Sequence, residues 1–186
     1  MNVKIKRLHP DAVIPQYATP GAAAFDLVAV EDVIIAPGET KKVPLGLAFE
    51  IPEGYVMIVA MRSGVALKTK LRQPNGIGVI DSDYRGEVAM MFDNIADVSQ
   101  WATTTPRDIS GHRTNTFVAG ILDDNSRVIR KGDRVAQAFI LPIPRVNFIE
   151  TDEELSETER GTGGFGHTGV TTEEAVSETW REVPAN

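Results

Sequence analysis

The sequence predicts an all-β fold, a barrel or a sandwich, interrupted by one short helix. Two observations favour this class: short apolar stretches bounded by turn residues recur through residues 1–95, and no long amphipathic helix separates them. At 186 residues, the chain fits one domain that can bury its own core. We expect a barrel over residues 1–150 with a surface insert at about 96–122, and a C-terminal arm over residues 151–186.

The first strands are predicted from alternation and from turn signals. VKIKRL (Val3–Leu8) alternates apolar and charged residues, as a half-buried strand does. DVIIAPGE (Asp32–Glu39) ends in a Pro-Gly turn, and LAFEIPEGYVMIVAM (Leu47–Met61) passes from one strand to the next through IPEG.

The single helix of the first half is predicted over RSGVALKTKL, Arg62–Leu71. Its apolar residues recur at roughly helical spacing, and Ser63 is the expected N-cap. The preceding strand therefore leads directly into a helix N-terminus that carries Arg62 and Ser63. Free N–H groups and the positive end of the helix dipole favour an anion there.

The second half contains a further β region, a polar insertion and a terminal helix. TFVAGILDDNSRVIRKGDRVAQAFILPI (Thr116–Ile143) reads as strands, whereas Ala96–Asn115 is polar and aperiodic, typical of a long loop or a decorated hairpin. We expect Ala96–Asn115 to be a surface insertion that catalysis does not need. A capping box from Thr171 to Glu174 predicts a short helix over Thr171–Val183.

Composition and charge exclude several functional classes. A net charge of −7 argues against a nucleic-acid-binding surface, and no apolar run reaches the roughly 18 residues of a membrane span. The absence of cysteine excludes disulfides and thiolate sites, and the start MNVKIKRLHP has no apolar signal region, so we expect a cytoplasmic protein. His9, His112 and His167 fit no metal-ligand spacing.

The densest group of chemically active residues is NGIGVIDSDYRGEV, Asn75–Val88. If this run is extended, Asp81 and Asp83 point to opposite faces, so only one of them lines a given pocket. Asp81 follows three apolar or glycine positions, which makes it a partly desolvated candidate for a general base. Taken alone, the stretch fits a hairpin turn rich in Asp and Gly better.

Two polar residues lie in otherwise apolar strands. Asp26 in GAAAFDL needs an ionic partner or a metal, unless it is an edge-strand residue that faces water. Gln137 in RVAQAFI needs a partner for its amide, and a structural hydrogen bond is its simplest role.

Five blocks in order give this pattern a family likeness: GAAAFDL, RSGVA, NGIGVIDSDYRGEV, GDRVAQ and RGTGGFGHTG. They closely resemble the five motifs of the trimeric deoxyuridine triphosphatase (dUTPase) family. The resemblance implies a jelly-roll-like β-barrel with a flexible C-terminal arm, assembled as a homotrimer with three active sites at subunit boundaries. It also implies Mg²⁺-assisted hydrolysis of dUTP to dUMP and pyrophosphate, which keeps uracil out of DNA and supplies dUMP for thymidylate synthesis.

The same resemblance implies roles for residues of the second and third blocks. Asp81 matches the base that activates water for attack on the α-phosphorus. Tyr84 matches the ring under the deoxyribose, where a 2′-hydroxyl would clash. Asn75 and the backbone around Gly78 match the hairpin that pairs with uracil.

The phosphate and metal sites are implied in the same way. Arg62, Ser63 and Gly64 match the residues that bind phosphates, and Gln137 joins them. Asp26 matches the residue on the metal side, acting through water.

In the last block, Arg160 matches the residue that meets the γ-phosphate. Gly164, Gly166 and Thr168 match groups near the phosphate oxygens, and Phe165 matches the ring that stacks on uracil. By this resemblance the arm folds over bound nucleotide, and the polar stretch before it is long enough to reach a neighbouring subunit.

Departures and alternatives accompany this interpretation. Ala24, Met61 and His167 differ from the commoner family residues, and about 25 extra residues lie between the third and fourth blocks, as in some bacteriophage members, so a phage or prophage origin is one interpretation. The related dCTP deaminase of the same fold is a second enzymatic hypothesis. A regulatory protein partner that binds the insert is the non-catalytic one.

Overall fold

The computed structural model describes residues 1–114 and 120–165, which form two compact units, Met1–Arg145 and Val146–Asn186. Within the described residues, the first unit contains all the strands and the helix. In chain order they are β1 (Lys4–Arg7), β2 (Phe25–Val28), β3 (Val33–Ile35), β4 (Thr40–Glu50), β5 (Tyr55–Met61), α1 (Ser63–Lys68), β6 (Leu71–Arg72), β7 (Gly78–Ile80), β8 (Val88–Asn94), β9 (Ala102–Thr103), β10 (Leu122–Asp123), β11 (Arg127–Ile129) and β12 (Arg134–Pro142).

Two four-stranded antiparallel sheets carry the first unit. One has the order β1-β4-β8-β6 and the other β2-β12-β5-β7, and the pairs β11-β3 and β10-β9 complete the pattern. Neighbouring strands in these sheets are not consecutive in the chain, so each sheet is held together by long-range pairing and not by simple hairpins. The predicted all-β fold with one short helix is confirmed.

The core follows from the period-2 alternation of the central strands. Along β8, Val88, Met90 and Phe92 are almost fully buried while the side chains between them are more exposed. On β12, Ala136 and Ala138 are fully buried, and Gln137 between them is not. Burial of such side chains is the main favourable contribution to folding, at roughly 25 cal/mol per Å² of apolar surface.

A bulge in β4 interrupts its pairing with β8. The register passes from Pro44 opposite Ala89 to Leu47 opposite Val88, so two extra residues are accommodated on β4. One of them is Gly46, which has a φ of +66° that L side chains rarely adopt. A Cβ there would also lie 2.9 Å from a Val30 methyl group, so both the backbone conformation and the packing favour glycine at this point of the bulge.

Turn and helix predictions fare differently. The Pro-Gly and IPEG turns are confirmed, with Gly38 at φ +77° and Gly54 at φ +80°. The predicted helix is too long at both ends, and Ser63 is not its N-cap. The N-cap is the extended Arg62, directly after β5, and the helix ends at Lys68 because Thr69 is extended and donates its hydroxyl to the helix.

The insert is partly built into the first unit, so its interpretation as a surface insertion is wrong for several residues. β9 pairs with β10, as expected for a decorated hairpin, while residues 115–119 lie outside the described residues. Pro106 and Thr114 are buried, and Ile109 packs against the main core. Isolated buried residues such as these produce no apolar periodicity, so the sequence pattern did not predict them.

The second unit is described through residue 165 and has no helix or strand in that part. Large apolar side chains in it, Phe148 and Leu155, are exposed. The predicted helix over Thr171–Val183 lies outside the described residues. Among the helices that the structure describes, none has the length and apolar character required to cross a bilayer.

Candidate active site

A polar cavity of about 500 Å³ lies at the start of α1, where β2, β5 and β12 run side by side. Its lining brings together five of the residues predicted from the sequence. The lining residues are Ala18, Ala24, Asp26, Arg62, Ser63, Gly64, Lys68, Arg134 and Gln137.

Asp26 is the negative centre of this cavity, and two arginines bind its carboxylate. Arg62 Nε lies 2.9 Å from one carboxylate oxygen, and Arg134 Nη1 lies 3.1 Å from the other. The prediction that Asp26 needs an ionic partner is therefore confirmed. β2 is an edge strand, as the alternative required, but the Asp26 carboxylate is paired and does not simply face water. With Lys68 also on the wall, three cations face one anion. The cavity is locally positive although the chain is acidic.

Gln137 fixes the relative position of two strands at this cavity. It lies opposite Asp26 on β2 and opposite Ala60 on β5, and its amide donates to the Met61 carbonyl at 3.3 Å. This confirms that its amide has a partner inside the protein. Gln137 also lines the cavity.

Arg134 and Lys68 are site residues that sequence reasoning missed. Arg62 Nη1 donates to the Arg134 carbonyl at 3.2 Å, which holds the two arginines side by side across Asp26. Arg134 lies in the block GDRVAQ and is the first residue of β12, so its place within that motif was the available signal.

The third block lies on β7 and on the turns before and after it. β6 pairs with β8 and β7 pairs with β5, so the two strands belong to different sheets. Residues 71–84 are called the hairpin below, for the sharp turn between β6 and β7. Gly76, with φ +69°, makes the turn after Asn75. β7 pairs with β5, and a Cβ on Gly78 would lie 3.2 Å from the Val59 Cβ, tighter than an ordinary contact, so a glycine suits this close approach of the two strands. Asn75 is exposed at the tip of this hairpin.

Gln73 anchors this hairpin and was not singled out from the sequence. Its side-chain oxygen accepts the Met61 N–H at 3.0 Å, and its amide nitrogen donates to the Val59 carbonyl at 3.2 Å. The side chain thus continues the backbone pairing of β7 along β5. Nothing in the sequence around Gln73 indicates that its side chain pairs with the backbone of β5.

The run around the two aspartates is a turn and not an extended strand. β7 ends at Ile80, and the Tyr84 N–H donates to the Asp81 carbonyl at 3.2 Å. The inference that strand alternation places Asp81 and Asp83 on opposite faces therefore loses its premise. Asp81 is exposed, so its expected partial desolvation is wrong for this chain by itself, while Asp83 lines a separate cavity.

Tyr84 is held by a chain of contacts that reaches the β4 bulge. Its hydroxyl donates to the Glu87 carbonyl at 3.0 Å, and a Cβ on Gly86 would lie 2.6 Å from the ring carbon that bears the hydroxyl. The Glu87 carboxylate in turn accepts the Gly46 N–H at 2.9 Å. The half-exposed ring is therefore held in place through its hydroxyl.

The predicted site residues form two groups within the first unit. Asp26, Arg62, Ser63, Gly64 and Gln137 share the positive cavity, whose lining includes no residue of the hairpin. The hairpin carries the second group, which lies outside the positive cavity.

The described part of the last block lies in the second unit. Arg160 Nε donates to the Gly163 carbonyl at 2.7 Å, and Phe165 is fully exposed with φ +43°. Gly164 is the last glycine of the block that the structure describes. Gly166 and Thr168 lie outside the described residues.

Protein ligands for a metal are few in this region. Within the described parts of the chain, no group of three or more His, Asp or Glu side chains is arranged to hold an ion. Asp26 is the acidic residue of the positive cavity, and arginines occupy both its oxygens. This donor set suits Mg²⁺ that is held mainly by water and substrate phosphates.

Comparison with known sequences identifies close relatives. A model of the dUTPase family matches residues 11–100. The chain is 44% identical to a deoxyuridine 5′-triphosphate nucleotidohydrolase of Nautilia profundicola over 91% of this chain and 99% of the relative. It is 36% identical to the enzyme of the same name from Helicobacter pylori, over 91% and 98% of the two chains.

Solved structures of bacteriophage proteins share the fold. The dUTPase of Staphylococcus bacteriophage 80alpha, solved with dUpNHpp, superimposes with a TM-score of 0.84 at 31% identity and covers 91% of this chain and 99% of its own. The dUTPase of phage phi11 of S. aureus, described with a structural Mg(II) ion, has a TM-score of 0.76 at 29% identity, over 82% and 98% of the two chains. The likeness confirms the predicted jelly-roll-like barrel.

Proposed function

The chain belongs to the dUTPase family, and from this premise we propose how its residues hydrolyse dUTP to dUMP and pyrophosphate. The observation that carries the proposal is the positive cavity, in which Arg62, Ser63, Gly64 and Gln137 meet beside β-strands and a helix N-terminus. A triphosphate is the anion that such a cavity fits, because its several charges need arginines and amide donors together. The deaminase alternative is not favoured by the relatives.

Binding of the triphosphate is assigned to the cavity. Arg62 and Arg134 are held by Asp26, so their guanidinium groups are positioned before substrate arrives. Lys68 adds charge on the same wall, and Gln137 adds a neutral amide. Since Asp26 balances only part of this positive charge, the cavity retains a net attraction for phosphate.

Recognition of the nucleoside is assigned to the hairpin. Asn75 and the backbone at Gly78 read uracil, and the ring of Tyr84 forms the floor under the deoxyribose. A ribose 2′-hydroxyl would meet this ring, which the Glu87 carbonyl holds through the tyrosine hydroxyl. The hairpin therefore selects both the base and the sugar.

The chemical step is direct attack by water. We assign Asp81 as the general base that takes the proton from water as its oxygen attacks the α-phosphorus, with pyrophosphate as the leaving group. In the single chain Asp81 is exposed, and contact with substrate and a neighbouring subunit would provide the desolvation that makes a carboxylate a better base.

Mg²⁺ is the cofactor that fits this donor set. Bound to the substrate phosphates, it would neutralise charge on the triphosphate and polarise the phosphorus. Asp26 is the residue assigned to its side of the site, acting through water, since both carboxylate oxygens already accept arginine hydrogen bonds.

A homotrimer completes the site in this proposal. The residues of the hairpin lie outside the positive cavity of the same chain, and the second unit carries the remaining residues.

An apolar cavity of about 500 Å³, lined by side chains such as Val3, Phe49 and Leu141, opens at the surface of the first unit. A second copy of the chain is the partner proposed to cover it. The arm, with Arg160, Gly164, Phe165, Gly166 and Thr168, is then proposed to close over a neighbour's site.

A protein partner of the insert is retained as a second, additional function. Three large apolar side chains between residues 96 and 122 are exposed: Val98, Trp101 and Ile121. Exposed aromatic residues of this kind are frequent anchors of protein interfaces. A pull-down with the wild type and with a Trp101→Ala variant tests this function independently of catalysis.

The decisive experiment measures pyrophosphate release from dUTP, dTTP, dCTP and UTP in the presence and absence of Mg²⁺. We expect hydrolysis of dUTP alone, dependent on the metal. Release of ammonia from dCTP would support the deaminase instead, and equal rates with dUTP and UTP would contradict the role of Tyr84.

A further inference from the structure

Part of the insert lies directly against the helix of the phosphate-binding cavity. Gly111 has φ +85°, and a Cβ at this position would lie 2.9 Å from the carbonyl oxygen of Lys68, the last residue of α1. Glycine is therefore required twice, once for the left-handed backbone and once for the close approach. The loop and the helix end are in backbone contact here, with no side chain between them.

The loop that makes this contact is well supported. One carboxylate oxygen of Asp108 accepts the Ser110 N–H at 2.9 Å, the Ser110 hydroxyl at 2.7 Å and the His112 N–H at 3.0 Å. The Gly111 N–H donates to the Asp108 carbonyl at 3.0 Å. Ile109 packs against the main core, which ties the loop to the barrel. A loop held in this way can position another element.

The helix needs such support. α1 has six residues, well below the ~12–15 at which an isolated helix becomes stable, and Val65 is its buried residue. Its last turn is held by the Thr69 hydroxyl on the Val65 carbonyl and by Arg72 on the Ala66 carbonyl. Gly111 adds a contact from outside the helix and its flanking residues.

We propose that Gly111 is a positioning residue for the triphosphate. Loop 107–113 restrains the end of α1, and this restraint keeps Arg62, Ser63 and Gly64 at the other end in the geometry that binds phosphates. The inference rests on the proposed phosphate role of the cavity. It opposes the expectation that Ala96–Asn115 is catalytically dispensable, because a short turn in its place would remove the contact with Lys68.

The test compares Gly111→Ala with Gly120→Ala. Gly120 lies in the same insert with φ +114°, and a Cβ there would meet nothing within 4 Å, so the control carries backbone strain without the contact. Binding of the triphosphate analogue dUpNHpp and of deoxyuridine is measured for both variants and the wild type. We expect Gly111→Ala to weaken dUpNHpp about ten-fold, as for a misplaced binding group, and deoxyuridine less than about two-fold.

The outcomes separate the inference from the proposed function. Equal losses for both ligands, or no difference between the two variants, would overturn the positioning role. If the wild type itself releases no pyrophosphate from dUTP, the proposed function fails, and the inference falls with it. Should Gly111→Ala not fold, Asp108→Ala removes the three hydrogen bonds that hold the loop, and it must show the same selective loss.

Discussion

Replacing Gly86 with alanine should reduce both the rate with dUTP and the discrimination against UTP. A Cβ at position 86 would lie 2.6 Å from Cζ and 2.9 Å from Cε2 of Tyr84, and nearer still to the hydroxyl oxygen. Because ordinary contact begins at about 3.4 Å, Cζ must retreat by roughly 0.8 Å, and the hydroxyl oxygen by roughly 1 Å. That movement takes the hydroxyl out of its 3.0 Å hydrogen bond to the Glu87 carbonyl.

The expected magnitude has two parts. The lost hydrogen bond contributes ~1 kcal/mol, which corresponds to a factor of about five. Displacement of the sugar platform by nearly 1 Å costs more, up to about 10²-fold for a positioning group. We therefore expect kcat/KM for dUTP to fall by about 10- to 100-fold. The ratio of kcat/KM for dUTP to that for UTP should fall at least about five-fold, because the displaced ring no longer meets a 2′-hydroxyl.

Pyrophosphate release at substrate concentrations below KM provides both numbers. Tyr84→Phe is the matched comparison, since it removes the hydrogen bond and leaves the ring in place; it should lose only about two- to ten-fold. A second control combines Gly86→Ala with Tyr84→Ala, where no ring remains to be displaced, so the glycine change should add little. An unchanged dUTP to UTP ratio in folded Gly86→Ala would refute the platform role of Tyr84.

Three further predictions address the base, the arm and the insert. Asp81→Asn should lower kcat by about 10²–10⁴-fold while dUpNHpp still binds, whereas Asp83→Asn should have a much smaller effect, since Asp83 lines a different cavity; equal losses would contradict the assignment of the base. Two inactive chains, Asp81→Ala and a truncation after Glu159, should regain activity in roughly a quarter of sites when refolded together at random, provided that base and arm come from different subunits; recovery near zero in confirmed mixed trimers would place both on one chain. Burial raises the pKa of the Asp108 carboxyl, but hydrogen bonds from Ser110 and His112 lower it by more, so folding lowers this pKa. The carboxylate therefore stabilises the folded state above about pH 4, and this contribution is lost as the pH falls further. Thermal unfolding from about pH 5 to about pH 3 should therefore show a smaller loss for Asp108→Asn than for the wild type.

The sequence predicted the fold class and most of the positive cavity. Alternation and turn residues are local signals, and the antiparallel strands obey them, as the turns at Gly38 and Gly54 illustrate. Arg62 and Ser63 were accessible because they directly follow an apolar strand, and Gly64 was accessible through the family resemblance. Asp26 was accessible because an acidic residue among apolar ones must have a partner.

Features that depend on pairing distant segments escaped prediction. Nothing near Gln73 indicates that its amide completes the edge of β5, because the partners Val59 and Met61 precede the helix. The prediction that the insert lies at the surface was incomplete for the same reason. Ile109 is a single apolar residue, and it packs against a core that other strands form. The composition around Asp81 predicted the turn that the structure contains. The inference that Asp81 and Asp83 point to opposite faces assumed an extended strand instead, and that assumption was wrong.

The bulge in β4 connects the interior of the barrel to Tyr84, the proposed sugar platform. Gly46 donates to the Glu87 carboxylate, and Glu87 holds Tyr84 through its carbonyl, so one short relay joins a buried backbone irregularity to a surface ring. Sugar preference can therefore drift over evolutionary time through residues that never meet a nucleotide. A laboratory selection for altered ribose tolerance should recover changes at Glu87 and around the bulge as readily as changes at Tyr84.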